Sequence, residues 1–506
     1  MILCNFSFAA GGGIYERIHG AKAPCDIGIV PCDIGIAPRN ICWHCARCVS
    51  RLVASSCIIH AMQPTFAFLN LTPAQRMTQF WATLQPPTRE QVQWVCAWAD
   101  QRGWNGYVVG GFVRDLVLQY SPGDLDVVIE GDAIAVAQAL AEHTGGSVHA
   151  HPQFGTATVE WRSEIGDQGS GIGDRHGVGN DAPPFNALDF ITARREWYPQ
   201  PAALPQVAAA ALPDDLARRD FTINTLALAL NGAHAGQLFT VENGLADLAD
   251  KSIRVLHDQS FMDDPTRILR AIRFAARLGF GLEPHTGGLL HAALEQGMLA
   301  RTTPARIRHE LRLLLEEDCA AVAVRLLHER EILAALHPAL VWTDSLHDQF
   351  KATFDLDLPR TARRNVLLLL LLARLSPAER HTLASHYNFP KAERDQLGQW
   401  AQLATLHDQL DRATLNDGAL DALLAPFADG PLRAFAIAHG GSITQRINHY
   451  RTMVRPIASR ITGHDLLAQG IPPGPAYRHI LAEARAKQLD EDQGLGARDQ
   501  GLGARG

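Results

Sequence analysis

The sequence has no long apolar run. The longest, Val366–Ala373, lies between Arg363, Arg364 and Arg374. A membrane-spanning helix needs roughly 18 apolar residues, so this segment reads as a short buried helix and no membrane contact is expected. The first residues carry no charged stretch ahead of an apolar one, so no secretory leader is recognised. Cysteine is scarce over most of the chain. Seven of the nine (Cys4, Cys25, Cys32, Cys42, Cys45, Cys48 and Cys57) lie at or before position 57, leaving Cys96 and Cys319 alone in the remainder. That excludes a disulfide framework and points to a reducing, cytoplasmic setting. Basic charge is also in short supply: 46 Lys and Arg against 53 Asp and Glu give a net charge of −7. A globally basic nucleic-acid coat is excluded, and any RNA must be met by a local patch.

What is present is enough for roughly three domains, since 47% of the 506 residues are apolar. Roughly the first 60 residues look foreign to the rest. They hold a direct repeat, Pro24-Cys-Asp-Ile-Gly-Ile-Val against Pro31-Cys-Asp-Ile-Gly-Ile-Ala, and the far end carries a second repeat from Asp492 and from Asp499. Perfect short repeats without a helical or strand period suggest disordered tails; translated non-coding sequence ahead of a start at Met62 or Met77 is the other reading. The run Cys42-Trp-His-Cys-Ala-Arg-Cys48 has the C-x2-C spacing of a zinc or iron–sulfur site. It lacks a second half at zinc-finger spacing, so an unstructured segment is the preferred reading.

Organised structure is expected from Leu71, where Thr72-Pro73 reads as a helix cap followed by proline at the first helical position. The expected division is an extension over 1–70, an α/β head over 71–230, a neck over 231–320, a helical body and tail over 321–488 and a disordered tail over 489–506. In the head, Gly106–Val109, Leu125–Ile129, Thr156–Trp161 and Ala187–Ala193 read as strands. Asp132 caps a helix that ends at Gly145-Gly146, and the Gly- and Asp-rich Ser163–Pro184 reads as a surface insertion. From about Ile253 the pattern turns helical; Thr303-Pro304 opens one helix, with Ile307, Leu311, Leu314 and Leu315 on its apolar face.

The chemistry concentrates in Gly110-Gly-Phe-Val-Arg-Asp115 and Gly123-Asp-Leu-Asp126. Alternation along a strand points Asp124 and Asp126 the same way and Leu125 into the core. Two carboxylates side by side call for a cation between them. Oxygen ligands suit Mg²⁺, which takes substrate phosphates as its remaining ligands, the layout for metal-assisted displacement at phosphorus. Gly110 and Gly111, between a strand and a helix, let backbone N–H groups approach a polyphosphate, and Arg114 adds a bidentate contact. Asp189, inside the apolar strand, is the candidate third carboxylate; the plainer reading is a salt bridge to Arg194 or Arg195.

These motifs appear in order with Ala217-Arg-Arg-Asp-Phe-Thr-Ile-Asn224 and with Asp263-Asp-Pro-Thr-Arg-Ile-Leu-Arg-Ala-Ile-Arg-Phe-Ala-Ala-Arg-Leu-Gly-Phe280. Together they resemble the bacterial tRNA nucleotidyltransferase and poly(A) polymerase family, the class II branch of the polymerase-β-like nucleotidyltransferases. The resemblance covers about Leu71–Leu315 and thins beyond. It implies a mixed-sheet α/β head followed by an all-α neck, body and tail. It implies Mg²⁺ on Asp124 and Asp126 with Asp189 in support, and nucleotide contacts from Gly110, Gly111, Arg114, Arg219 and Asp220. It also implies reading of the base by Asp264 and Arg267, where the family pattern Glu-Asp-x-x-Arg is here Asp263-Asp264-Pro-Thr-Arg267. On physical grounds a carboxylate beside a guanidinium matches the donor–acceptor order that cytosine and adenine share and guanine and uracil lack. Arg270 and Arg273 are then placed to reach the triphosphate. Pro265–Leu315, with eight Arg against three Glu, is the place for the tRNA acceptor stem, held through its phosphates. The Ala/Pro-rich stretch between Arg195 and Arg218 resembles the family's flexible loop.

The expected function is addition of CMP and AMP to the 3′ end of tRNA from CTP and ATP, without a template and with no obligate protein partner. Poly(A) polymerase and an enzyme adding only CC or only A are the near rivals. A non-catalytic RNA-binding protein on this scaffold and a small-molecule nucleotidyltransferase are the distant ones.

Overall fold

The computed structural model describes residues 66–161, 187–412 and 415–502. The cysteine run and the Gly-rich insertion lie outside these residues. Order begins ahead of Leu71: Ala67–Asn70 form a 3-10 turn that buries Phe68 in the core, and Arg76 donates to the Phe68 and Leu69 carbonyls. The expected extension over 1–70 is thus corrected at its end, because an aromatic side chain needed by the core lies there. Helix α1 (Pro73–Thr83) opens on the expected cap, with Thr72 and Gln75 each accepting from the other's backbone N–H, a reciprocal pairing that satisfies two orphan donors. Helix α2 (Pro86–Asp100) follows.

The head is a seven-stranded mixed sheet in the order β3-β4-β5-β2-β1-β8-β9. Its strands are β1 (Gly106–Val109), β2 (Asp126–Ile129), β3 (Ser147–His151), β4 (Thr156–Glu160), β5 (Ala187–Thr192), β8 (Ala227–Ala229) and β9 (Leu238–Phe239). Among the described residues of this sheet, only β2 and β5 run parallel. Helix α3 (Gly111–Leu118) follows β1, and α4 (Ala133–Thr144), capped as expected by Asp132, covers one face over the buried Ala157, Val159, Leu188 and Phe190. Because β9 completes the sheet, the head reaches past the expected boundary at 230.

Two expectations change in detail. The Ala/Pro-rich stretch is not irregular throughout: β6 (Arg194–Trp197) and β7 (Gln206–Ala209) pair as an antiparallel ribbon, and α5 (Leu212–Ala217) follows. The region after Ile253 is not purely helical either, since β10 (Ser252–Ile253) pairs in parallel with β11 (Gly281–Leu282). Around them stand α6 (Gly244–Ala249), α7 (Ser260–Asp263), α8 (Thr266–Leu278), α9 (Pro284–Glu295), α10 (Met298–Arg301), α11 (Pro304–Glu316) and α12 (Ala320–Glu329). The remaining elements are helical. Arg360–Leu372 carries the run that stood out in the sequence, and Val366–Leu372 are all buried, as expected of a helix apolar on every side. The last helix, Ala476–Leu502, continues past 489. Asp490, ahead of the repeat, anchors that helix by accepting from the Gly418 N–H and from Asn416. Among the described residues no helix is long and apolar enough to cross a membrane.

Candidate active site

A cavity of about 530 Å³ opens between the end of the head sheet and α8. It draws in every sequence-nominated site residue except Asp189.

Gly110 makes the turn from β1 into α3 at φ +70°, ψ −128°, a region open to glycine alone. A Cβ there would also stand 2.9 Å from Arg219 Nη1, so the turn and the arginine share one space. Arg114, one helical turn on, is 1% exposed. Its Nη1 donates to Asn224 Oδ1 at 2.7 Å, and Nε and Nη2 reach Asp115 Oδ1 at 2.9 and 2.7 Å. The motif Arg219-Asp-Phe-Thr-Ile-Asn224 is thereby tied to the glycine turn through its last residue.

Beside this turn, Asp126 opens β2, and Asp124 lies just ahead of the strand rather than within it. The expected alternation still holds: Leu125 is buried while both aspartates are half-buried and border the cavity. Asp189 stands on β5 directly opposite Asp126 and takes a short hydrogen bond from Thr158 Oγ1 on β4. It sits one strand out from Asp126, beside the cavity wall. Among the described residues no three His, Cys, Asp or Glu side chains converge as a ready-made metal cage. Two carboxylates facing an open polar cavity are nonetheless the donor set Mg²⁺ uses when substrate phosphates and water complete its shell.

The opposite wall is α8. Arg267 is buried; its Nη1 donates to Ser260 Oγ at 2.6 Å and its Nη2 to the Arg218 carbonyl at 3.0 Å. Asp264 Oδ1 accepts from the Thr266 N–H and hydroxyl at 3.0 and 2.6 Å and pairs with Arg306 Nη2 at 2.7 Å. Asp263, the shortened first position of the motif, does not border the cavity. Arg270 binds Asp220 Oδ2 through Nε and Nη2 at 2.9 and 2.5 Å. Burial alone would raise the Asp220 carboxyl; Arg270 and the amide of Asn224 outweigh it and hold it at about 2. Arg273 lies 3.5 Å from both Glu310 and Glu317. Arg270 and Arg273 thus border the cavity but are engaged by acids here, where the sequence suggested arginines open to a triphosphate.

Glu196, Tyr198 and Arg306 in the cavity wall, and Asp215 behind it, were not nominated from the sequence. Asp215, fully buried, clamps Arg218 at 2.7 Å and Arg219 at 2.9 Å. Burial pushes its carboxyl up, and the two arginines more than reverse this. The i,i+3 and i,i+4 spacing was the available signal. Glu196 joins Arg194 and Arg218 at 2.8 and 2.9 Å. Tyr198 has its phenol pushed up to about 12, mainly by burial. Arg306, lost in an Arg-rich stretch, is singled out only by folding, which sets it against Asp264.

Residues 106–254 match the family model "Poly A polymerase head domain", and residues 279–342 match "Probable RNA and SrmB- binding site of polymerase A". An A-adding tRNA nucleotidyltransferase of Halalkalibacterium halodurans is 33% identical over 76% of this chain and 84% of its own length. One of Geobacter sulfurreducens is also 33% identical over 76% of this chain, but the match spans only 43% of that longer relative. Among solved structures, a CCA-adding enzyme in an apo form shares the fold at a TM-score of 0.63 and 28% identity, over 81% of this chain and 93% of that one.

Proposed function

Since the chain belongs to the family of tRNA nucleotidyltransferases and poly(A) polymerases, we propose that it adds CMP and AMP to the 3′ end of tRNA without a template. The observation that carries the reading is one cavity bordered by Asp124 and Asp126 on one side and by Asp264 and Arg267 on the other. The first pair suits the reacting phosphate and the second a base edge.

In this reading Asp124 and Asp126 hold Mg²⁺, with Asp189 in support. The metal, when bound, lowers the pKa of the attacking hydroxyl and neutralises charge on the leaving pyrophosphate. The protein's own groups do the rest. The Gly110-Gly111 turn and the N-terminus of α3 receive the triphosphate, and Arg114 and Arg219 are at hand to neutralise it. Asp220 links this side to the neck by gripping Arg270. Asp264 accepts from the exocyclic amino group of cytosine or adenine while Arg267 donates to the adjacent ring nitrogen. Preset by Arg306, Thr266 and Ser260, that pair is a fixed reader needing no complementary strand. The Arg-rich helices α8 and α11 suit the phosphates of an acceptor stem, and the helical remainder suits recognition of duplex shape rather than sequence.

A second reading, addition of the terminal A alone, is favoured by the two relatives that match 76% of this chain, both named A-adding. The test uses tRNA transcripts ending before CCA, after C and after CC, each with labelled CTP or ATP. Incorporation in the order C, C, A supports the first reading. Incorporation of one A on the CC-ended transcript alone supports the second. A long A tail on any RNA, or no incorporation at all, overturns both.

A further inference from the structure

We propose that the outer strands of the head sheet form the track for the unpaired 3′ end of the acceptor RNA, with His149 and His151 contacting the nucleotides behind the reacting one. This rests on the nucleotidyl-transfer reading above and goes beyond it by assigning the acceptor a path.

The sheet order fixes two flanks around Asp124 and Asp126. On the β1 flank stand Gly110, Arg114 and Arg219; on the other stand β5, β4 and β3. The triphosphate belongs to the flank with the arginines and the helix N-terminus. Displacement at phosphorus places the attacking and leaving oxygens in line. The hydroxyl therefore enters from the β5 side, and the strand that carries it extends over β5, β4 and β3.

The register on that flank builds a surface that is polar apart from Ile191. Asp126, Asp189, Thr158 and His149 form one row across four strands, and Ile191, Thr156 and His151 form the adjacent row. Side-chain contacts confirm the shared face: Thr158 donates to Asp189, and His149 Nε2 lies 3.6 Å from Glu160 Oε2. The reverse face, with Ala157, Val159 and Phe190, is buried. At a strand spacing of ~4.8 Å, three strand steps put His149 ~14 Å from Asp126, far enough out to meet nucleotides behind the terminal one. Thr156 and Ile191 border the cavity, so the surface is continuous with the site. Among the described residues β3 is the edge strand, and there the His149 side chain is 64% exposed.

The residue type fits as well. An imidazole offers a flat face for base stacking and an N–H for a phosphate or ribose oxygen, and two of them at i,i+2 repeat that along one strand. His151, two residues on from His149 and also exposed, is the outer contact.

The test has two arms. In the first, the His149→Ala/His151→Ala double variant is compared with the wild-type chain on a tRNA transcript ending in CC. The KM for tRNA should rise roughly tenfold, the effect of losing one charge-assisted contact, while kcat and the KM for ATP stay as they were. In the second, benzoylphenylalanine at position 149 is irradiated with the same labelled transcript, and crosslinks should map to the last few nucleotides. An unchanged KM for tRNA, an equal rise in the KM for ATP, or crosslinks confined to the duplex stem overturns the track. A wild-type chain that incorporates no nucleotide sinks the parent reading instead, and the crosslinks still score the track on their own.

Discussion

The two walls of the cavity are built by different rules. On the sheet wall, Asp124 and Asp126 are placed by alternation about Leu125, a residue that must be buried. On the helical wall, position comes from long-range ion pairs: Arg270 meets Asp220 and Glu310, fifty and forty positions away, and Arg273 meets Glu310 and Glu317. A local rule can be read from a few neighbouring residues. A buried network holds only when every member is present, because a charge left alone inside has lost its water and gained nothing. The sheet wall should therefore tolerate loss of its carboxylates in stability while losing function, and the helical wall should do the reverse first.

The sharpest break of that contrast is Asp220→Asn. Removing one partner of a buried pair costs about 3–5 kcal/mol, so the urea midpoint should fall steeply, while Asp126→Asn should leave it nearly unmoved. The pH dependence has a definite sign. The Asp220 carboxyl is depressed to about 2 from its ordinary 3.8. Its contribution, about 2 kcal/mol, is complete above the ordinary value and is lost as pH falls through about 2. Acid titration of wild type and Asp220→Asn should show the two stabilities converging as pH falls through that window. Base reading comes next: Arg267→Ala should cost about tenfold to a hundredfold in discrimination of ATP against GTP, measured as the ratio of kcat/KM values. Gly110→Ala, with its strained turn and its collision with Arg219, should cost about 1–3 kcal/mol and raise the KM for nucleotide. The smallest effect belongs outside both walls: Thr72→Ala removes a helix cap worth about 1 kcal/mol, with activity unaffected.

The same division explains what could be read in advance. The α/β head, the helices capped by Thr72 and Asp132, the glycine turn and the paired aspartates all carry their cause within a few residues. Asp189 stood out as a charge within an apolar strand, but its place opposite Asp126 comes from pairing of two strands far apart in sequence. In the ribbon, β7 was hidden by the Ala- and Pro-rich composition around it, and β6 by its run of charged residues. The engagement of Arg270 and Arg273 by acids was hidden by distance in sequence: the arginines were visible, but Asp220 and Glu310 become their partners only once the neck packs on the head. Arg306 was indistinguishable from its neighbours until α11 set it 2.7 Å from Asp264. Phe68 shows the converse limit, a core residue concealed by the atypical segment before it.

The central idea is that Asp124 and Asp126 together serve a divalent ion at the reacting phosphate. The most direct measurement follows labelled ATP into a tRNA transcript ending in CC, for wild type and Asp126→Asn, across a Mg²⁺ titration and with EDTA. Incorporation by the wild-type chain should saturate with Mg²⁺ and vanish with EDTA. The variant, melting like wild type, should stay blank at every Mg²⁺ concentration. A folded variant that incorporates ATP at the wild-type rate would contradict the account.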